Sequence, residues 1–128
     1  MANKVKLVSS TQIYRDTRTL MNHIIDVTPQ FPRQFKYSIG AKMHDLVVDL
    51  LNSAASAYLI RDKETSISHL VQYQIKFETL KTLVRVAIER RWIMSTGRQA
   101  QIVELMDAIG KQCTAWKNSL IASMAAKE

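Results

Sequence analysis

Apolar residues recur at steps of three and four along most of this chain, and only short polar stretches break the pattern. That is the period of an α-helix, because residues three and four apart share one face. The breaks fall at Thr28-Pro29, at Arg61-Asp62-Lys63-Glu64 and at Ser95-Thr96-Gly97-Arg98-Gln99. With 3 Gly and 2 Pro, the chain lacks the turn punctuation that many strands would need. Amphipathic helices joined by short connections predict an all-α fold, an antiparallel up-down-up-down four-helix bundle. The 128 residues predict a single four-helix-bundle domain over 1–128, with 1–8 and 122–128 expected to be flexible.

Helix one is expected to start at Ser9 or Ser10, where Ser9 and Gln12 have capping-box spacing, and to stop at Thr28-Pro29. Its inward face reads Ile13, Tyr14, Thr17, Leu20, Met21, Ile24 and Val27. Pro32 suits the first position of helix two, since a first helical residue needs no N–H partner. Phe31 is placed to fold back on the inward face of that helix, Phe35, Ile39, Met43, Leu46, Val47, Leu50, Ala54, Ala57 and Tyr58. Gly40 within that period implies a close packing contact. Thr65 or Ser66 can cap helix three, with a core stripe of Leu70, Tyr73, Phe77, Leu80, Val84, Ala87 and Ile88. Thr96 and Gln99 have capping-box spacing for helix four, whose stripe is Ile102, Leu105, Met106, Ile109, Cys113, Trp116 and Leu120.

Helix three carries apolar residues on a second side. At 100° per residue, Ile75, Val86 and Ile93 oppose the core stripe and Leu83 lies at its margin. An apolar side must be buried, so these residues predict either an interface with another copy of the chain, the favoured reading, or a bundle packed askew that covers them itself.

Eighteen Lys and Arg against eleven Asp and Glu give a formal charge of +7 and a pI near 9.8. A small domain that basic suits a nucleic acid or another polyanion. Cys113 is the only cysteine, which excludes an internal disulfide, and its apolar surroundings make it a core residue fit for a reducing compartment. No run of about 20 apolar residues is present, so no membrane span is expected. Met1 to Ser10 has Lys4 and Lys6 without an apolar run behind them, which argues against a secretory signal and for a cytoplasmic protein.

No catalytic constellation emerges. His23, His44 and His69 stand in neither Glu-x-x-His nor His-Glu-x-x-His pairs, so no metal or other cofactor is expected. Asp45 and Asp49 share a helix face, but Lys42 beside them suggests a solvated ion-pair stripe rather than acid–base chemistry.

Basic residues are better placed. Lys81 and Arg85 lie one turn apart on helix three, with Glu78 and Glu89 in pairing range. Arg90 and Arg91 stand at its end, followed by Trp92, and Arg98 lies across the turn. The helix dipole favours cations at that end, but a phosphate-binding patch with Trp92 as a stacking face fits as well. Arg33, Lys36 and Lys42 at the start of helix two cannot be explained by the dipole, which would place acids there. They are interleaved with Phe31, Phe35 and Tyr37. Whether the two groups merge depends on the fold.

Several stretches carry a resemblance: Phe31-Pro32 with Tyr37-Ser38-Ile39-Gly40, the small-residue run from Ala54 to Tyr58, Leu80 with Leu83-Val84-Arg85-Val86-Ala87, and Ile109-Gly110-Lys111-Gln112-Cys113-Thr114-Ala115-Trp116-Lys117. In these the chain resembles the four-helix-bundle family of the accessory variability proteins (Avd) of diversity-generating retroelements. Proteins encoded in intervening sequences of ribosomal RNA genes belong to the same family. The resemblance implies a non-enzymatic protein that assembles as a pentamer. It implies binding to the element's reverse transcriptase and to template RNA or cDNA, in support of mutagenic reverse transcription. The ribosomal-intervening-sequence relatives imply the alternative, a structural or interaction module with no defined nucleic-acid role.

Overall fold

A computed structural model describes residues 11–126. Among them the fold is all-α, without strands, and is carried by α1 (Gln12–Val27), α2 (Ala41–Leu59), α3 (Lys63–Glu89) and α4 (Thr96–Ala126). Between α1 and α2 come a 3-10 turn at Thr28–Gln30, a helical turn at Arg33–Phe35 and a π turn at Lys36–Gly40 that runs straight into α2. Pro32 is the cap before this stretch rather than its first helical residue, with φ −54° and ψ 145°.

The apolar stripes meet in one core. Leu20 and Ile24 of α1, Met43 and Leu50 of α2, Leu70 and Leu80 of α3, and Ile102 and Ile109 of α4 are sealed from solvent. Each such side chain contributes about 1.5–3 kcal/mol by leaving water. Gly40 is buried beneath Thr28 and Phe31: a methyl group there would lie 3.5 Å from the Thr28 Cβ and 3.7 Å from the Phe31 ring. The contact expected at Gly40 is therefore present, at ordinary van der Waals range.

Helix ends depart from expectation. Ser9 and Ser10 lie outside the described residues, and α1 begins after Thr11, whose side chain makes no capping bond. Asp62, rather than Thr65 or Ser66, caps α3, its carboxylate accepting the Thr65 N–H at 3.0 Å. A carboxylate both accepts this bond and meets the positive end of the dipole. The Thr65 hydroxyl, and then its N–H, hold the Asp62 carboxyl below its ordinary range. Ser66 turns back instead and donates to the carbonyls of Ala57 (2.8 Å) and Ile60 (3.0 Å), satisfying the end of α2. Ser95, not Thr96, caps α4 by accepting the Arg98 N–H at 3.1 Å. The last helix is described to Ala126, and Lys63 at the start of α3 donates to Ser123 near its end.

Side-chain ties fix which ends meet. Thr28 Oγ1 and His44 Nε2 are 2.8 Å apart, and Gln99 donates to the Ile93 carbonyl at 2.6 Å. With Trp92 against Phe31 and Phe35, and Arg98 on Asp26, the end of α1, the start of α2, the end of α3 and the start of α4 gather at one end of the molecule. At the far end, Thr11, Tyr58 and Trp116 line a common hollow. Midway, Asp49 of α2 pairs with Lys76 of α3 at 3.2 Å, so the partner of this carboxylate is on the next helix and not Lys42.

Candidate nucleic-acid interface

The gathered end is organised by the way α3 stops. After Glu89 the chain turns through Arg91, which has φ 62°. The Arg91 N–H bonds the Ile88 carbonyl at 3.0 Å and the Trp92 N–H bonds the Ala87 carbonyl at 2.8 Å. This pair of bonds closes the helix carbonyls, and it needs a left-handed residue, a place that glycine fills most easily. An arginine there costs about 1 kcal/mol.

The turn throws Trp92 back onto the bundle. Its ring stacks on Phe35 (centroids 4.7 Å, planes at 26°) and tilts against Phe31 (5.1 Å, 44°). Trp92 is only 7% exposed, so the expected stacking face for a base is occupied by the protein's own aromatic rings. Ile93 is likewise buried, at 1% exposure, and does not stand on an open face. Its placement opposite the core assumed that the helix continued, but α3 ends at Glu89 and the left-handed turn redirects Trp92 and Ile93.

The two basic groups do merge in part. The Arg90 guanidinium lies 5.8 Å from the ring centres of both Phe35 and Trp92. Phe35 sits between Arg33 and Lys36 in a continuous helical stretch, so the start of helix two and the end of helix three share one surface. Arg33, Lys36, Lys42, Arg90 and Arg91 have no carboxylate within ion-pair distance among the described residues.

The remaining basic residues lie elsewhere. Lys81 and Arg85 line a groove of about 1210 Å³ between α3 and α4, over Phe77, Val84 and Met106. Lys81 pairs with Glu78 at 2.6 Å and stands 5.2 Å over the Phe77 ring, while Lys111 on the facing wall pairs with Asp107 at 3.0 Å. Arg98 ties α4 to α1, reaching Asp26 at 3.2 Å and His23 Nδ1 at 2.9 Å. An arginine only donates, so Nδ1 accepts and His23 is neutral. Burial first, then the Arg98 charge, pull the His23 pKa down against the opposing pull of Asp26.

Tyr37 gains importance. At 76% it is the most exposed large apolar side chain among the described residues, and it has no aromatic or hydrogen-bonding partner there. The signal was in the spacing: two helical residues after Phe35, which faces Trp92, Tyr37 falls on roughly the opposite side. Of the expected subunit-contact residues, Ile75 is well exposed, and Leu83 and Val86 are half-buried.

Among the described residues no group of three or more His, Cys, Asp or Glu converges to hold a metal ion. No described helix is long and apolar enough to cross a membrane. No curated protein matches the chain. Residues 7–120, nearly the whole sequence, match the family described as bAvd-like, and the chain belongs to that family.

Proposed function

We propose that this protein is a non-catalytic accessory factor that binds a retroelement reverse transcriptase and its nucleic acid, template RNA or cDNA, in the cytoplasm. The observation that carries this reading is the gathering of Arg33, Lys36, Arg90 and Arg91 at one end of a bAvd-like chain of formal charge +7. Unpaired guanidinium and ammonium groups on one surface hold phosphates by displacing their counterions. Such contacts supply affinity with little sequence preference, which suits a factor that accompanies a polymerase along its template.

The four helices run up-down-up-down in this reading, supported by the ties at the two ends, Arg98 to Asp26 and Lys63 to Ser123. The protein acts as a homo-oligomer, a pentamer. What supports oligomerisation is the apolar surface left open by Ile75 on α3 and Val48 on α2, each one residue before the Lys76–Asp49 pair. The alternative, a protein-interaction module without nucleic acid, is favoured by the groove between α3 and α4. There the ion pairs of Lys81 with Glu78 and of Lys111 with Asp107 neutralise much of the basic charge.

Light scattering on a sizing column separates the two. The accessory reading predicts a pentamer that shifts with structured RNA and with reverse transcriptase at low salt and releases RNA at moderate salt. A monomer or dimer indifferent to both would overturn it.

A further inference from the structure

Three positions at the basic end are occupied against local preference. Arg33 and Lys36 stand in helical turns with no acidic residue, at the positive end of the dipole that continues into α2. Arg91 takes a backbone conformation that glycine adopts most easily. Charge that served only solubility could be placed elsewhere without these costs. Sequences depart from local rules in this way mainly where a function is served.

The same end presents Tyr37 to solvent, one helical turn from Arg33 and adjacent to Lys36. An unpartnered ring beside unpaired cations matches a ligand with alternating flat faces and negative charges. We propose that this end of the bundle binds single-stranded nucleic acid, with Tyr37 stacking on an unpaired base, Arg33 and Lys36 holding the phosphates beside it, and Arg90 and Arg91 holding phosphates further along the strand, on the Phe35 side.

The ring selects single strands over duplexes. Bases within a duplex are already stacked on each other and offer no free face, whereas every unpaired base does. A duplex would use the cations alone. Trp92 and Phe35 do not compete for this role, because their faces are turned to each other. They act as the rigid floor that holds Arg90.

The inference rests on the proposed nucleic-acid binding, and one experiment tests them apart. Fluorescence anisotropy compares binding of a labelled oligouridylate, an RNA duplex of equal length and polyglutamate to the full chain and to Tyr37→Ala, Tyr37→Phe and Arg91→Gly. Tyr37→Ala should weaken oligouridylate binding about tenfold and leave duplex binding unchanged, and Tyr37→Phe should restore it. Arg91→Gly removes a charge while relieving the backbone, so it should weaken both RNAs and lower the salt slope by about one. If Tyr37→Ala binds oligouridylate like the parent chain while Arg91→Gly does not, the stacking role is wrong and the nucleic-acid reading stands. If the parent chain binds neither RNA, the nucleic-acid reading itself fails. Polyglutamate bound as tightly as RNA would assign this end to an acidic protein and overturn the inference.

Discussion

The Tyr73 phenol and the Thr17 hydroxyl meet 2.6 Å apart inside the core, joining α3 to α1. Thr17 also donates to the Ile13 carbonyl at 2.7 Å, so Tyr73 is the donor and Thr17 the acceptor between them. The two partners are not equivalent on removal. Tyr73→Phe leaves Thr17 bonded to its own helix and should cost about 0.5–1.5 kcal/mol. Thr17→Val strands a buried phenol and should cost about 1–3 kcal/mol, and the double variant should be less harmful than the sum. Urea unfolding of the three variants checks this order.

Alkaline pH should unfold the protein through the same core. Burial pushes the Cys113 thiol up to about 11 and the Tyr73 phenol well above its ordinary range. Both groups hold their protons more tightly folded than unfolded. Their contribution is complete below the unfolded values and is lost as pH rises, beginning near the thiol's ordinary value of about 9. Cys113→Ala should move the onset of this loss toward about pH 10, where phenols begin to ionise. The thiol should also resist alkylation until the chain unfolds.

Arg91→Gly should raise stability by about 1 kcal/mol, because it relieves the left-handed backbone at φ 62° without breaking the two bonds that close α3. The urea midpoint would rise with an unchanged slope. A loss of stability would show that the arginine side chain contributes more than the backbone strain costs.

Mild acid acts at a different place. The neutral His23 imidazole accepts from Arg98, and its pKa is lowered in the folded state. The unfolded chain then binds the proton first. The contribution is full above the ordinary value of 6.5 and is lost as pH falls through the lowered folded value. His23→Gln should flatten the pH dependence of the urea midpoint between about pH 7 and about pH 5.

Trp92 should report a dry environment. With Trp116→Phe leaving it as the sole tryptophan, its emission should be blue-shifted and poorly quenched by acrylamide, since it is 7% exposed. Added RNA should leave the quenching unchanged. Trp92→Ala should cost about 3–5 kcal/mol through loss of the ring against Phe31 and Phe35.

The inward faces of the helices were legible because burial obeys a period. Leu20, Leu50, Leu70, Leu80 and Ile109 all stand where a step of three or four places them. Cap residues were less legible, because Asp62, Thr65 and Ser66 are all competent caps and only the path of the backbone selects Asp62. Trp92 and Ile93 were misplaced for one reason: a non-glycine residue ended α3 in the left-handed conformation, and nothing in the type of Arg91 announces that. The meeting of Arg90 with Phe35 is a tertiary fact, separated by more than fifty residues of chain, and no local pattern encodes it.

Because Thr11 and Trp116 share one hollow while Lys63 reaches Ser123, the first described residue and the late part of α4 lie at the same end, away from Arg33, Arg90 and Arg91. Helix α3 has 27 residues, which separates the two ends by about 40 Å. Thr11 and Ser123 therefore stand at the pole opposite Tyr37. A dye attached at Thr11 or at Ser123 would leave the basic pole clear. Two such attachments would also sit close enough to each other to report by energy transfer whether the bundle is closed.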